Sequence, residues 1–361
     1  MKIIKVVGAR PNFPKMAPLI EEAKKHPLVE SLLVHTGQHY DEAMSQSFFD
    51  DFRLPKPDIH LGVGSDTHAV QTANVMIAFE KICLEHRPDL VIVVGDVNST
   101  VACALVAAKM QIKVAHVEAG LRSYDRTMPE EINRLITDQL SDYLFTHSME
   151  ANDNLRREGL DANKIHFVGN IMIDTLLKHL ATARQSNILQ RLQLEEKKFS
   201  LLTLHRPSNV DNLDALRGIL LAVRDLAERI KIVFPMHPRT SQKIDKFGLG
   251  DFIKHRNIVN TEPLGYFEFL CLMANAKLVL TDSGGIQEET TILGIPCLTL
   301  RNNTERPITV EMGTNQVIGN QPEKIIQSAN QIFDLSKYEP KRPALWDGRT
   351  AERIYKILLK K

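Results

Sequence analysis

Short apolar runs rich in Val, Ile and Leu alternate along the chain with longer segments in which apolar side chains return every three or four positions. The first pattern predicts buried strands and the second amphipathic helices. Strands are expected near residues 2–7, 31–35, 89–94, 113–117, 143–146 and 165–168, with helices such as 16–26 and 100–110 between them. A second series follows near 199–204, 231–236, 257–260, 277–281, 296–300 and 316–318. Repetition of strand, helix and strand predicts parallel sheets, so the expected fold class is α/β with two Rossmann-like, doubly wound units joined near residues 169–174. Residues 186–197 are polar and read as a solvated helix or connector. Residues 350–361 place Ala351, Ile354 and Leu358 on one helical face that must pack on a unit.

Length agrees with two units, because 361 residues exceed what one core usually supports. The 45 basic side chains are balanced by 44 acidic ones, which gives no support for a nucleic-acid or membrane partner and makes any anion site local. Cys83, Cys103, Cys271 and Cys297 are dispersed in apolar surroundings without a C-x-x-C pair. They read as reduced, buried thiols of a cytoplasmic protein, and a zinc site is not expected. The apolar start of the chain is too short for a signal peptide and reads as a first strand, and no run of about 20 apolar residues occurs.

In open α/β sheets ligands bind beyond the carboxyl ends of the strands, so residues just after the strands are the candidates for chemistry. The first series offers Arg10 and Lys15 after strand 2–7, Gln38 after 31–35, Asp96 after 89–94, and Glu118 at the end of 113–117. The second offers His205 with Arg206, His237, the turn Asp282-Ser283-Gly284-Gly285, and the segment from Arg301 to Arg306. That turn is the most informative segment. A buried strand runs through paired glycines into a helix carrying Glu288 and Glu289, with Ser283 placed to cap the helix and its first amides aimed at an anion. A carboxylate beside a diphosphate would be repelled, so one of the two glutamates is expected to accept hydrogen bonds from a neutral ribose or uracil group.

Each candidate has a plainer alternative. The glycines serve tight strand-to-helix packing equally well. Asp96 reads also as a turn residue, although Ser99 is the better placed cap, and Glu118 as half of a structural salt bridge. Glu130, next to Pro129 at a helix start, is favoured there by the helix dipole alone. A lone histidine such as His205 is usually structural, but Arg206 beside it favours a phosphate role. His39, His116 and His147 read as satisfied histidines. Dinucleotide-binding, P-loop, zinc-protease and hydrolase-elbow motifs are all absent, and so is Asp-x-Asp. Cationic side chains and helix N-termini must then hold a diphosphate, with no metal and no cofactor expected.

Taken together, Gly-Ala-Arg-Pro-Asn-x-x-Lys at 8–15, Thr-Gly-Gln-His at 36–39, Gly-Asp at 95–96, His-Val-Glu-Ala-Gly-Leu-Arg at 116–122, Pro-Glu-Glu-x-Asn-Arg at 129–134, His-Arg at 205–206, Asp-Ser-Gly-Gly-Ile-Gln-Glu-Glu at 282–289 and Thr-Glu-Arg-Pro at 304–307 are distinctive. In this order the chain closely resembles the non-hydrolysing UDP-N-acetylglucosamine 2-epimerases. The resemblance implies a glycosyltransferase-B architecture, with an N-terminal domain over 1–170 joined by helix 350–361, a UDP-binding domain over 171–349, an active site between them and a homodimer. It implies reversible epimerisation at C2 through elimination of UDP and re-addition to 2-acetamidoglucal. By motif, Asp96, Glu118, Glu130 and His205 occupy catalytic positions. His237, Phe269, Ser283, Gly284, Gly285, Glu289 and Arg306 occupy UDP-binding positions, joined by Arg10, Lys15, Gln38 and Arg206. Many bacterial members read His-Arg-Arg-Glu-Asn where this chain has His205-Arg206-Pro207-Ser208-Asn209. Pro207 removes an arginine that the family links to a second, activating substrate molecule. Relatives of this scaffold also act on modified substrates such as 2,3-diacetamido uronic acids.

Overall fold

The structure, a computed structural model, describes residues 1–38, 55–335 and 341–360, apart from the side chain of Arg10. The chain divides into two compact units, Met1–Lys178 with Ala344–Lys361, and His179–Pro343.

In the first unit seven parallel strands form one sheet. They are β1 (Lys2–Val7), β2 (Glu30–His35), β3 (Ile59–His60), β4 (Leu90–Val94), β5 (Lys113–Val117), β6 (Tyr143–Thr146) and β7 (Ile165–Phe167), in the order β3-β2-β1-β4-β5-β6-β7. In the second unit β8 (Phe199–Thr203), β9 (Lys231–Pro235), β10 (Ile258–Thr261), β11 (Leu278–Thr281), β12 (Cys297–Thr299) and β13 (Asn315–Val317) form a parallel sheet ordered β10-β9-β8-β11-β12-β13. Each sheet reverses direction of winding once, between β1 and β4 and between β8 and β11. At such a switch point the loops diverge and leave a crevice for a ligand.

The central strands are largely apolar because both faces are covered. β4, Leu-Val-Ile-Val-Val, is buried at every position. One face of the first sheet packs Ile3, Leu90 and Ile92 with Phe13, Met16 and Leu19 of helix Phe13–Ala23, and the other packs Ile4, Val91 and Val93 with Val75 and Phe79 of helix His68–His86. The helix Thr350–Leu358 buries Ala351, Ile354, Tyr355 and Leu358 in the core of this first unit. Its first amides, those of Thr350 and Ala351, donate to Asp174 at 3.0 and 2.8 Å. Leu216, Leu220 and Val223 of helix Leu213–Leu226 pack with Ile232, Leu278 and Leu298 in the second core. The four cysteines are buried and free. Among the described residues no helix is long and apolar enough to cross a membrane.

The expected strands and helices form close to where the apolar pattern puts them. Helix 16–26 begins earlier, at Phe13, and helix 100–110 begins at Asn98. Two local expectations fail. Ser99 lies inside its helix, with Val97 at the cap position, because the Gln38 side chain supplies the acceptor for its amide. Ser283 does occupy the cap position of helix Gly284–Leu293, yet its hydroxyl makes no capping bond.

Candidate active site

At the switch point of the first sheet, β1 leads to Lys15, in the first turn of helix Phe13–Ala23, and β4 leads to the loop that carries Asp96. Asn12 ties them together: its Oδ1 accepts from the amides of Gly8 and Ala9, both at 3.0 Å, and its Nδ2 donates to Val94 O at 3.1 Å. Gly95 turns the chain at φ +66°, and a Cβ there would meet Lys15 Nζ at 3.0 Å. Lys15 Nζ forms a buried ion pair with Glu118 Oε2. Glu118 sits just beyond β5 at φ +78°, a left-handed conformation costing a non-glycine residue on the order of 1–3 kcal/mol. The amides of Glu118 and Ala119 both donate to Phe145 O, which holds that conformation.

Asp96 is gripped from the helix Pro129–Leu140. Arg134 Nη1 donates to Asp96 Oδ2 at 2.5 Å, and Asn133 Nδ2 donates to Asp96 O at 2.9 Å. Arg134 is in turn held by Glu131, at 2.6 Å. Burial works to raise the Glu131 carboxyl, but bonds from the Ser123 amide and Arg134 outweigh it and leave its pKa below the usual value. Glu130 is half-buried in the first turn of the same helix. Gln38 is buried, with its Oε1 accepting from the amide and hydroxyl of Ser99 at 2.9 and 2.7 Å. The backbone of Arg10 opens a single 3-10 turn, Arg10–Asn12; its side chain and His39 lie outside the described residues.

The second sheet's switch point is organised by Asp282, which is fully buried. Its carboxylate accepts from the amides of His205 and Arg206 and from Asn209 Nδ2, and it faces His205 Nδ1 at 3.0 Å. Burial works to raise the Asp282 pKa, but the His205 ring and these donors outweigh it and hold the pKa low. His205 Nδ1 is thereby fixed. The His237 ring lies 5.9 Å from the His205 ring, and its Nδ1 accepts from the Arg239 amide at the start of helix Pro238–Lys246. A pocket of about 250 Å³ opens there, with Met236, Pro238, Thr261 and Pro263 among its walls.

Beyond Ser283, a Cβ on Gly284 would come within 2.5 Å of Arg306 Nη1 and displace that guanidinium, whereas one on Gly285 would meet open space. Arg306 Nε pairs with Glu288 at 2.9 Å. Glu289, on the next helical position, accepts from the Tyr266 hydroxyl at 3.1 Å; burial, aided by the charge of Glu288, pushes its pKa up to about 7 although the Tyr266 bond opposes it. Phe269 is half-buried on the same helix as Tyr266, and Arg206 is half-buried beside His205.

The structure therefore gathers Lys15, Asp96 and Glu118 at one switch point. At the other it gathers His205, Arg206, His237 and the Ser283–Gly285 turn, with Arg306 and Glu289 alongside. Sequence reasoning missed the pairings that hold them. Arg134 and Asp282 were visible within motifs, but their partners lie 38 and 77 positions away, and no local spacing signals such a pairing.

Comparison with known proteins finds matches over nearly the whole chain. A family model described as UDP-N-acetylglucosamine 2-epimerase matches residues 21–359. A Methanocaldococcus jannaschii protein named UDP-N-acetylglucosamine 2-epimerase is 44% identical, covering 99% of each chain. A crystal structure of the UDP-GlcNAc 2-epimerase of that organism, in complex with UDP-GlcNAc and UDP, superposes with a TM-score of 0.92 at 44% identity over 99% of both chains. A Pseudomonas aeruginosa protein named UDP-2,3-diacetamido-2,3-dideoxy-D-glucuronate 2-epimerase is 39% identical over 91% of each chain. The two-unit α/β fold is of the glycosyltransferase-B class, like that of its structural neighbours.

Proposed function

Because this chain belongs to the UDP-N-acetylglucosamine 2-epimerase family, we propose that it interconverts UDP-N-acetylglucosamine and UDP-N-acetylmannosamine by eliminating UDP and re-adding it to 2-acetamidoglucal. The observation that carries the reading is the pair of carboxylates, Asp96 and Glu118, each held by a dedicated cation at a sheet switch point.

The chemistry asks for such groups. The C2 proton of the sugar is not adjacent to a carbonyl, so a carboxylate with a reference pKa of about 4 removes it only if the C1–O bond breaks at the same time. Charge then develops on the departing UDP. Arg10, Arg206, Arg306, His205 and the backbone amides after Ser283 are the groups we assign to stabilise it, an electrostatic role set by preorganised donors. Asp282 keeps His205 Nδ1 engaged and leaves Nε2 for that task. Glu289, unsuited to lie beside a diphosphate, is assigned to the ribose or uracil, and His237 and Phe269 to the nucleotide. Inverting C2 requires proton transfer on both faces, and Asp96, Glu118 and Glu130 supply the acid and base groups. Lys15, paired with Glu118, tunes that carboxylate, and Gln38 holds the helix start behind Asp96. Homodimer assembly belongs to the same reading and rests on the family resemblance, and a cytoplasmic setting is proposed from the four dispersed cysteines, which are buried and free.

A modified substrate is the second reading, favoured by the similarity to the Pseudomonas aeruginosa 2-epimerase of a diacetamido uronic acid. Proton NMR of the protein with UDP-N-acetylglucosamine in deuterated water separates the two. UDP-N-acetylmannosamine carrying deuterium at C2 is the expected product. Free N-acetylmannosamine with UDP would replace the proposal by hydrolysis, and no reaction would favour the modified sugar.

A further inference from the structure

We propose that His116 is a positioning residue for this reaction: paired with Asp138, it forms a buried charged knot that fixes the three segments carrying Asp96, Glu118 and Glu130. The inference rests on the epimerisation proposed above. His116 and Asp138 are both fully buried, and neither lies at a strand end where a ligand would reach it.

The ring is engaged on both sides. Nδ1 lies 2.6 Å from Asp138 Oδ1, and Nε2 lies 2.8 Å from the carbonyl oxygen of Gly95. A carbonyl only accepts, and so does an ionised carboxylate. Burial works to raise the Asp138 pKa, but His116 and Arg122 outweigh it and hold the carboxyl ionised. Hydrogen-bond accounting therefore puts a proton on each ring nitrogen. Asp138 Oδ2 accepts from the Gly120 amide at 3.1 Å and pairs with Arg122 at 2.7 Å, while Arg122 also pairs with Glu158 at 2.6 Å. Two cations and two carboxylates close a neutral set.

The bonds of the His116 ring and of the Gly120 amide end within two residues of a candidate acid. Gly95 directly precedes Asp96. Glu118 lies between His116 and Gly120, two residues from each, and both of those are tied to Asp138. Asp138 itself sits on the helix Pro129–Leu140, whose first turn carries Glu130 and whose Arg134 grips Asp96. Burying three charged groups, with a part-exposed Glu158 at their edge, is a poor way to gain stability, since well-packed apolar residues do as well or better. Holding three carboxylates at fixed separations is a task that apolar packing does not perform, because only a donor at the ring Nε2 position can fix the Gly95 carbonyl.

The test compares His116→Leu with His116→Gln, using whichever UDP-sugar the wild-type protein epimerises. Glutamine retains a donor near the Nε2 position. The expected result is a fall in kcat of about 100-fold for the leucine variant, with recovery of about tenfold in the glutamine variant. KM and UDP affinity should stay within about threefold, because the binding groups are untouched. Equal kcat in wild type and His116→Leu would overturn the proposal, as would losses that follow thermal stability irrespective of the donor. Should the variants not fold, nitrogen-15 NMR of the histidine rings in the wild-type protein tests the knot directly. Protons on both nitrogens of His116 are expected, and a ring with one bare nitrogen overturns it. That measurement needs no turnover, so its outcome is separate from the fate of the epimerase assignment.

Discussion

The two switch points share one strand order but are wired with opposite polarity. In the first unit the outward groups are carboxylates, and each is anchored by a cation: Glu118 by Lys15, Asp96 by Arg134. In the second unit the anchor is a carboxylate and the outward groups are donors: Asp282 holds His205 and the amides of its loop, and Glu288 holds Arg306. Under the proposed reaction, a negative group that moves a proton and a positive group that receives an anion are each fixed by their opposite. On that proposal the contrast divides the work of the two units into proton transfer and anion binding.

The largest expected effect divides these roles. Asp96→Asn or Glu118→Gln should lower turnover by about 10³-fold or more, within the range usual for loss of a general acid or base, while calorimetry finds UDP bound as before. Loss of UDP affinity would mean that the first unit's carboxylates hold its structure and that the division is wrong.

Glu289 is the point where the second unit departs from its own pattern, since its carboxyl meets a tyrosine hydroxyl and a like charge. Its pKa is raised from 4.5 to about 7, so the folded state keeps a proton that the unfolded chain has already released. Stability from this group is complete below about pH 4.5 and is lost as pH rises through about 7, an effect of about 3 kcal/mol. Urea unfolding at a series of pH values should show that decline in the wild type and a flatter profile in Glu289→Gln.

The smallest effect concerns Ser283. A capping serine contributes about 1 kcal/mol, but here the hydroxyl makes no cap bond. Ser283→Ala should therefore change stability by less than about 0.5 kcal/mol, and a greater loss on thermal unfolding would restore the hydroxyl as a cap.

Most of the architecture could be read from the sequence because doubly covered parallel strands are continuous apolar runs, as β4 and β11 show. β3 escaped notice because two residues, Ile59 and His60, make no run. The outward residues of the site could be read for a related reason: they follow strands directly, and the topology fixes where strand ends lie. The pairings with their anchors could not. Arg134, Asp282 and Asp138 act across the fold on residues far away in sequence, and His116 looks like any histidine in a strand until Gly95 O is found against its ring. Cap positions failed for a different reason, since a side chain from elsewhere, Gln38, took the part that Ser99 was expected to play.

The helix Thr350–Leu358 belongs to the core of the unit that begins at Met1, although the whole of the second unit is translated in between. On the ribosome the second unit can condense as soon as Pro343 has emerged. The first must wait with the surface of Phe13, Met16 and Leu19 uncovered until Ala351, Ile354, Tyr355 and Leu358 arrive. A premature stop codon between Pro343 and Ala351 would leave every proposed reactive group in place and still release a chain with an open apolar face, marking it for chaperones and proteases by its packing alone.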